Sequence, residues 1–125
     1  MLVVAVAIAG ALGALARWGV SSVMLDWFGP RWPWGTLAVN AAGCFLLGLL
    51  MEEGPHLHWL TRDVRLTLAV GFIGTLTTFS TFELDTWKLA GSSGGMLAAA
   101  GNLLLNVTLG FALLWLGARV SAGYR

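Results

Sequence analysis

The chain has 125 residues, 58% of them hydrophobic and only 10% charged, with a formal net charge of +1. A soluble domain carries about 25% charged residues, so this composition cannot cover a water-facing surface and reads as a membrane protein. The charge balance makes no case for nucleic acid as a partner. The single cysteine, Cys44, cannot form an internal disulfide and reads as a small packing residue in an apolar run.

A helix needs about 20 apolar residues to cross a bilayer. Four stretches qualify. The first covers residues 2–23 and contains Arg17. No lysine or arginine precedes Arg17 and no processing site is evident, so residues 1–16 read as part of a mature helix rather than a signal peptide. The second covers residues 35–51, lengthened at its start by Trp32 and Trp34. The third, residues 64–89, is interrupted by Gly71-Phe72-Ile73-Gly74-Thr75-Leu76-Thr77-Thr78-Phe79-Ser80-Thr81-Phe82. The fourth covers residues 96–118.

The interruption is the most informative stretch. It holds five hydroxyl side chains and two glycines, with no charge between Arg65 and Glu83. In hydrocarbon each polar group needs a protein partner, water or an ion. The glycines invite the backbone to bend or break, freeing carbonyls. The stretch reads as an interior surface and part of a solute path.

Turn chemistry separates the spans: Gly29-Pro30-Arg31-Trp32-Pro33, Glu52-Glu53-Gly54-Pro55-His56 and Gly91-Ser92-Ser93-Gly94-Gly95. Trp27, Trp32, Trp34, Trp59 and Trp87 fall near predicted ends, as an interfacial aromatic belt would. The whole of residues 1–125 reads as a single four-span membrane domain, without a soluble domain or linker.

Four spans put both termini on one side. That side carries Arg62, Arg65, Arg119 and Arg125, against Arg31 and Lys88 on the other. Such residues set orientation, and four against two fits either one orientation with a modest bias or insertion both ways. Four short helices cannot enclose a polar path and shield it from lipid. Ala9, Gly10, Gly13 and Ala14 in the first span, with Ala41, Gly43 and Gly48 in the second, offer close helix contacts, and oligomerisation follows as the expectation.

Three motifs, Gly10-Ala11-Leu12-Gly13-Ala14-Leu15-Ala16-Arg17, Gly35-Thr36-Leu37-Ala38-Val39-Asn40-Ala41-Ala42-Gly43 and the Gly71 to Phe82 stretch, resemble the fluoride channel (Fluc, or CrcB) family in order and spacing. The resemblance covers essentially the whole chain, and the third motif is the most specific. It implies an all-α membrane fold of four transmembrane helices with a broken third helix, assembled as an antiparallel dual-topology homodimer in the cell inner membrane. It also implies two fluoride pores, a central structural sodium ion, and passive export of fluoride that lowers its toxicity.

Site residues follow from that resemblance. Phe79 and Phe82 lie three apart on one helical face. They suit ordinary packing, or contact between partly positive ring edges and an anion. Fluoride holds water tightly, so a pore must replace hydration without binding too hard; the family's pore phenylalanines match these two. Asn40 matches the pore asparagine, and alternatively would bridge helices. Ser80 and Thr81 either bond back to carbonyls one turn earlier or form a polar track beside the rings. Asn102, Asn106 and Thr108 give the fourth span a polar side, which either lines the pore or bonds across the dimer, and Asn106 and Thr108 are taken as pore residues there. The sequon Asn106-Val107-Thr108 is read as chance inside a span. Gly74 and Thr77 match the positions whose backbone carbonyls hold the sodium, and hard cations take oxygen ligands. Arg17 either snorkels to the interface or supplies positive potential to an anion vestibule. Glu83 stands where a small residue is common in the family, and Asp85 matches a commonly acidic position.

No nucleophile–base pair, phosphate loop or acid pair is present, and an enzyme is not expected. His56-Leu57-His58 is half a metal site without a third ligand. Two rivals to the channel remain: a small multidrug-type proton-coupled antiporter, and a non-transporting membrane assembly subunit. The antiporter needs a membrane-embedded carboxylate, and the first span has no acid.

Overall fold

Gly29 ends the first helix. Its φ of +72° suits glycine, its N–H returns to the Leu25 carbonyl at 2.9 Å, and Pro30 cannot continue the helix. The computed structural model describes residues 1–51, 60–93 and 95–123. The first helix is Leu2–Phe28, the second Trp34–Met51, the third span Arg62–Ala90 and the fourth helix Gly95–Gly123. All four are long and apolar enough to cross a membrane, and the described residues contain no strand. The second interhelix turn, Trp59, the His56–His58 pair and Arg125 lie outside the described residues.

The third span opens on Thr61, whose hydroxyl accepts from the Val64 N–H, with Asp63 in the first turn. Arg65 donates to the Leu50 carbonyl in the last turn of the second helix, tying the two ends together. The chain then widens into a π-helix over Thr67–Ile73 and returns to one short α-turn, Gly74–Leu76. Thr77 and Thr78 are extended (ψ 157° and 118°), and the helix restarts as Phe79–Ala90. The expected break is present, but not at a glycine.

Gly71 serves packing instead. A Cβ there would lie 2.8 Å from Ala9 Cβ and 2.9 Å from the Val6 carbonyl oxygen. Across the same contact, a Cβ on Gly13 would run into Thr75 Oγ1 and the Phe72 carbonyl. The second and fourth helices meet similarly: Gly48 faces the Leu114 carbonyl and Gly117 the Phe45 carbonyl, with no room for a side chain at either. Ala9, Gly13, Gly43 and Gly48, expected to offer close helix contacts, make such contacts within the chain. Trp27 and Trp87 project outward as an aromatic belt would, but Trp32 turns inward, its ring tilted at 46° to that of Trp34 with centroids 6.2 Å apart and its tip toward Gly101.

Candidate functional site at the break in the third span

The break leaves backbone groups that an unbroken helix would pair. The Thr78 N–H, which would continue onto Gly74, goes instead to Asn40 Oδ1 at 2.8 Å. The Thr81 N–H, which would reach Thr77, goes to the Thr78 hydroxyl at 3.2 Å. Thr78 is thus the N-cap of the Phe79–Ala90 arm, and its own hydroxyl donates to Thr81 Oγ1 at 2.9 Å. Runs of threonine favour this outcome, because their hydroxyls offer the backbone local alternatives to helix bonds.

Asn40 sits mid-way along the second helix and holds the break from the side. Its Nδ2 donates to the Thr78 carbonyl at 3.2 Å while its Oδ1 accepts from the Thr78 N–H, so one amide pairs with one peptide in both directions. The second Nδ2 hydrogen goes to Asn106 Oδ1 at 3.1 Å. Asn106 Nδ2 donates to both the carbonyl and Oδ1 of Asn102, each at 3.0 Å. Asn102, fully buried at 0% exposure, donates from Nδ2 to Thr86 Oγ1 at 2.8 Å, and the Thr86 hydroxyl donates to the Phe82 carbonyl at 2.7 Å. These bonds fix the orientation of each amide: turning Asn40 over would set like groups against each other at Thr78.

Phe79 and Phe82 stand on the turn that follows the break, with ring centroids 5.7 Å apart and planes inclined at 54°. They differ in setting. Phe82 is 7% exposed and Phe79 70%, so one ring is enclosed by the chain and the other presents itself outward. Ser80 and Thr81 are also exposed, next to the cap.

On the far side of the break, Arg17 donates from a guanidinium nitrogen to the Thr77 carbonyl at 3.3 Å. It does not snorkel out along its helix. Thr75 Oγ1 lies against the Gly10 carbonyl (2.9 Å) and the Gly71 and Phe72 carbonyls of its own arm (2.7 and 3.1 Å).

A cleft of about 770 Å³ opens at one end of the bundle, with Thr36, Thr81 and Asp85 among its walls and Arg31 and Lys88 beside them. Within it Thr36 donates to Asp85 Oδ2 at 2.6 Å. Glu83 is exposed on the same arm.

The structure joins Asn40 to Asn106 and sets both beside the Phe79–Phe82 turn. Thr108 stands apart: two residues beyond Asn106 it falls on another face of the fourth helix, exposed, donating to the Leu104 carbonyl at 2.7 Å. Two participants were not singled out from sequence, Thr78 as cap and Thr86 as a partner, and Asn102, expected only on a polar side of the fourth span, is a buried link. The four-residue spacings Asn102–Asn106 and Phe82–Thr86 are the signal that could have found them.

Residues 4–118 match the family model described as CrcB-like protein, Camphor Resistance (CrcB). The chain is 47% identical over 117 residues to a protein of Syntrophotalea carbinolica named fluoride-specific ion channel FluC, covering 94% of each. It is 41% identical to a protein of the same name from Geobacter metallireducens, again covering 94% of each. A third, from Methylococcus capsulatus, is 45% identical over 91% of this chain and 50% of its own length. With its four apolar helices the chain is a multi-pass inner-membrane protein. Its amino-acid sequence and its helical architecture agree with one assignment: the chain belongs to the CrcB-like family.

Proposed function

We propose that this protein is a fluoride channel that lets the ion leave the cytoplasm passively. The observation that carries this reading is the union of an amide, a freed helix start and two aromatic rings at one break: Asn40, Thr78, Phe79 and Phe82. Relatives that match along most of the chain bear the name fluoride-specific ion channel.

Fluoride gives up its water only to partners that replace it. Ring edges of Phe79 and Phe82 are weakly positive, and hydroxyls of Ser80 and Thr81 add donors beside them. Asn40 spends both amide hydrogens on protein acceptors in the resting arrangement. A fluoride arriving there competes with Asn106 Oδ1 for one hydrogen, so binding is offset by the bond it displaces. That suits conduction, where an ion must also leave. Arg17 adds positive potential on the other side of the break.

The chain acts as an antiparallel dual-topology homodimer in this proposal, surrounded by lipid and carrying two pores. The many outward apolar residues of the single chain, Ile8, Leu104 and Phe111 among them, are divided between lipid and partner. Sodium fits the break by donor chemistry. Gly74 and Thr77 carbonyls both lose their usual helix donors, to Asn40 and to Thr78, and such oxygens suit a hard cation. Two oxygens are too few for one such ion, and a second, inverted copy of the break completes the set. When bound, sodium offsets carbonyl dipoles that lipid cannot satisfy.

The test is fluoride efflux from liposomes containing only this chain, read with a fluoride electrode. Rapid efflux is expected. Protein-containing liposomes that retain fluoride as protein-free ones do would overturn the reading. Proton-coupled drug exchange without fluoride flux would favour the antiporter.

A further inference from the structure

The hydrogen bonds around Asn40 form a chain whose two ends return to one turn of backbone. They run head to tail from the Thr78 N–H to Asn40 Oδ1, from Asn40 to Asn106, from Asn106 to Asn102, from Asn102 to Thr86 and from the Thr86 hydroxyl to the Phe82 carbonyl. The first and last members, Thr78 and Phe82, bracket the single turn that carries Phe79 and begins at the break. The circuit crosses three elements: the second helix, the fourth helix and the C-terminal arm of the third span.

We infer that Asn102 and Thr86 are positioning residues, which set the Asn40 amide and the Phe79–Phe82 turn in register through this circuit. The inference rests on the channel reading, since it is the pore groups that are positioned. Neither residue needs to touch the ion. Asn102 is fully buried, so neither water nor lipid can replace a lost partner. Its Oδ1 orients Asn106 together with its backbone carbonyl, and the Asn106 Oδ1 is the acceptor that takes the Asn40 hydrogen. Removing the Thr86 oxygen leaves the Asn102 Nδ2 without its acceptor, and each link depends on the one before it. A circuit of this kind transmits a change at Thr86 to Asn40, three hydrogen bonds away.

A feature of the sequence makes this observable. The chain has three asparagines, Asn40, Asn102 and Asn106, and no glutamine. Its side-chain amides therefore give three NH₂ signal pairs in a ¹⁵N NMR spectrum of the protein in micelles. The experiment compares Thr86→Val, which keeps the shape and removes the hydroxyl, with Thr86→Ser, which keeps the hydroxyl. Thr86→Val should move the Asn40 and Asn106 pairs as well as that of Asn102, and Thr86→Ser should leave all three near their wild-type positions. In liposomes Thr86→Val should slow fluoride efflux by about tenfold or more, in keeping with small misplacements of a working group, while Thr86→Ser should stay within about threefold of wild type. If Thr86→Val loses its dispersed amide spectrum altogether, Thr86→Ala takes its place in the same comparison. Asn40 and Asn106 signals that hold still when the hydroxyl is removed, or efflux equal to that of Thr86→Ser, would overturn the inference. Absent efflux from the wild type would instead count against the channel reading, leaving the amide signals to judge the circuit.

Discussion

Arg17, on the first helix, donates to the carbonyl of Thr77 across the helix interface at 3.3 Å. That carbonyl is one the break has deprived of its helix donor. Arg17→Ala should strip it of that donor and destabilise the protein by about 1–3 kcal/mol, with Arg17→Lys intermediate because one ammonium replaces a planar fork. Thermal unfolding in detergent measures both. Equal midpoints for wild type and Arg17→Ala would mean that water or lipid headgroups reach Thr77 equally well.

The same carbonyl bears on sodium. A cation held by Gly74 and Thr77 oxygens binds the folded assembly alone, so sodium should raise its stability. Well above half-saturation, each tenfold increase should add about 1.4 kcal/mol. Unfolding in sodium against N-methylglucamine at equal ionic strength is the measurement. Identical midpoints would remove the ion from the proposal.

Asn40→Ala should nearly abolish fluoride flux. It deletes the amide that pairs with Thr78 in both directions and strands the Thr78 N–H, a loss costing about 1–3 kcal/mol of stability as well. Liposome efflux of protein with a wild-type gel-filtration profile tests this. A near wild-type rate would reduce Asn40 to a helix tie.

Phe82→Ile should impair flux more than Leu76→Ile does. The two residues are comparably buried, 7% and 5% exposed, but Phe82→Ile also loses ring volume, so the unfolding midpoints of both variants are measured beside the rates. Only the first substitution removes a ring edge from the proposed path. Matching efflux rates would assign Phe82 to packing alone.

Inserted chains should occur in both orientations, because four basic residues stand against two. Ser92 is exposed in the turn before the fourth helix. With Cys44 replaced and Ser92→Cys introduced, an impermeant thiol reagent on intact cells should label roughly half the copies. Complete labelling, or none, would require a parallel assembly or a second, opposite-facing chain.

Hydropathy made the four spans legible because lipid permits little else: the expected ranges fall inside the observed helices, each missing at most five residues at an end, except that the second helix starts at Trp34 and leaves out Trp32. Crowded hydroxyls likewise marked the broken span. The position of the break was less legible. Glycine suggested it, yet Gly71 is held by Ala9 and Val6, and the chain parts at Thr77 and Thr78, where side-chain oxygens compete for the backbone. Small residues could not reveal whether they served contacts within or between chains, since both need the same shape. Asn106 and Thr108 could have been separated by spacing alone, as residues two apart face different ways on a helix. The partnership of Asn102 with Thr86 needed coordinates, because sequence places them sixteen residues apart on different elements.

A two-residue break has a further effect, on charge. Each α-helix carries partial negative charge at its C-terminus and partial positive charge at its N-terminus. Interrupting the third span at Thr77–Thr78 places one end of each kind back to back in mid-membrane. The negative end faces Arg17; the positive end opens the turn of Phe79. Without adding a single ionised side chain, the same discontinuity offers opposite polarity on its two faces, one suited to cations and the other to anions.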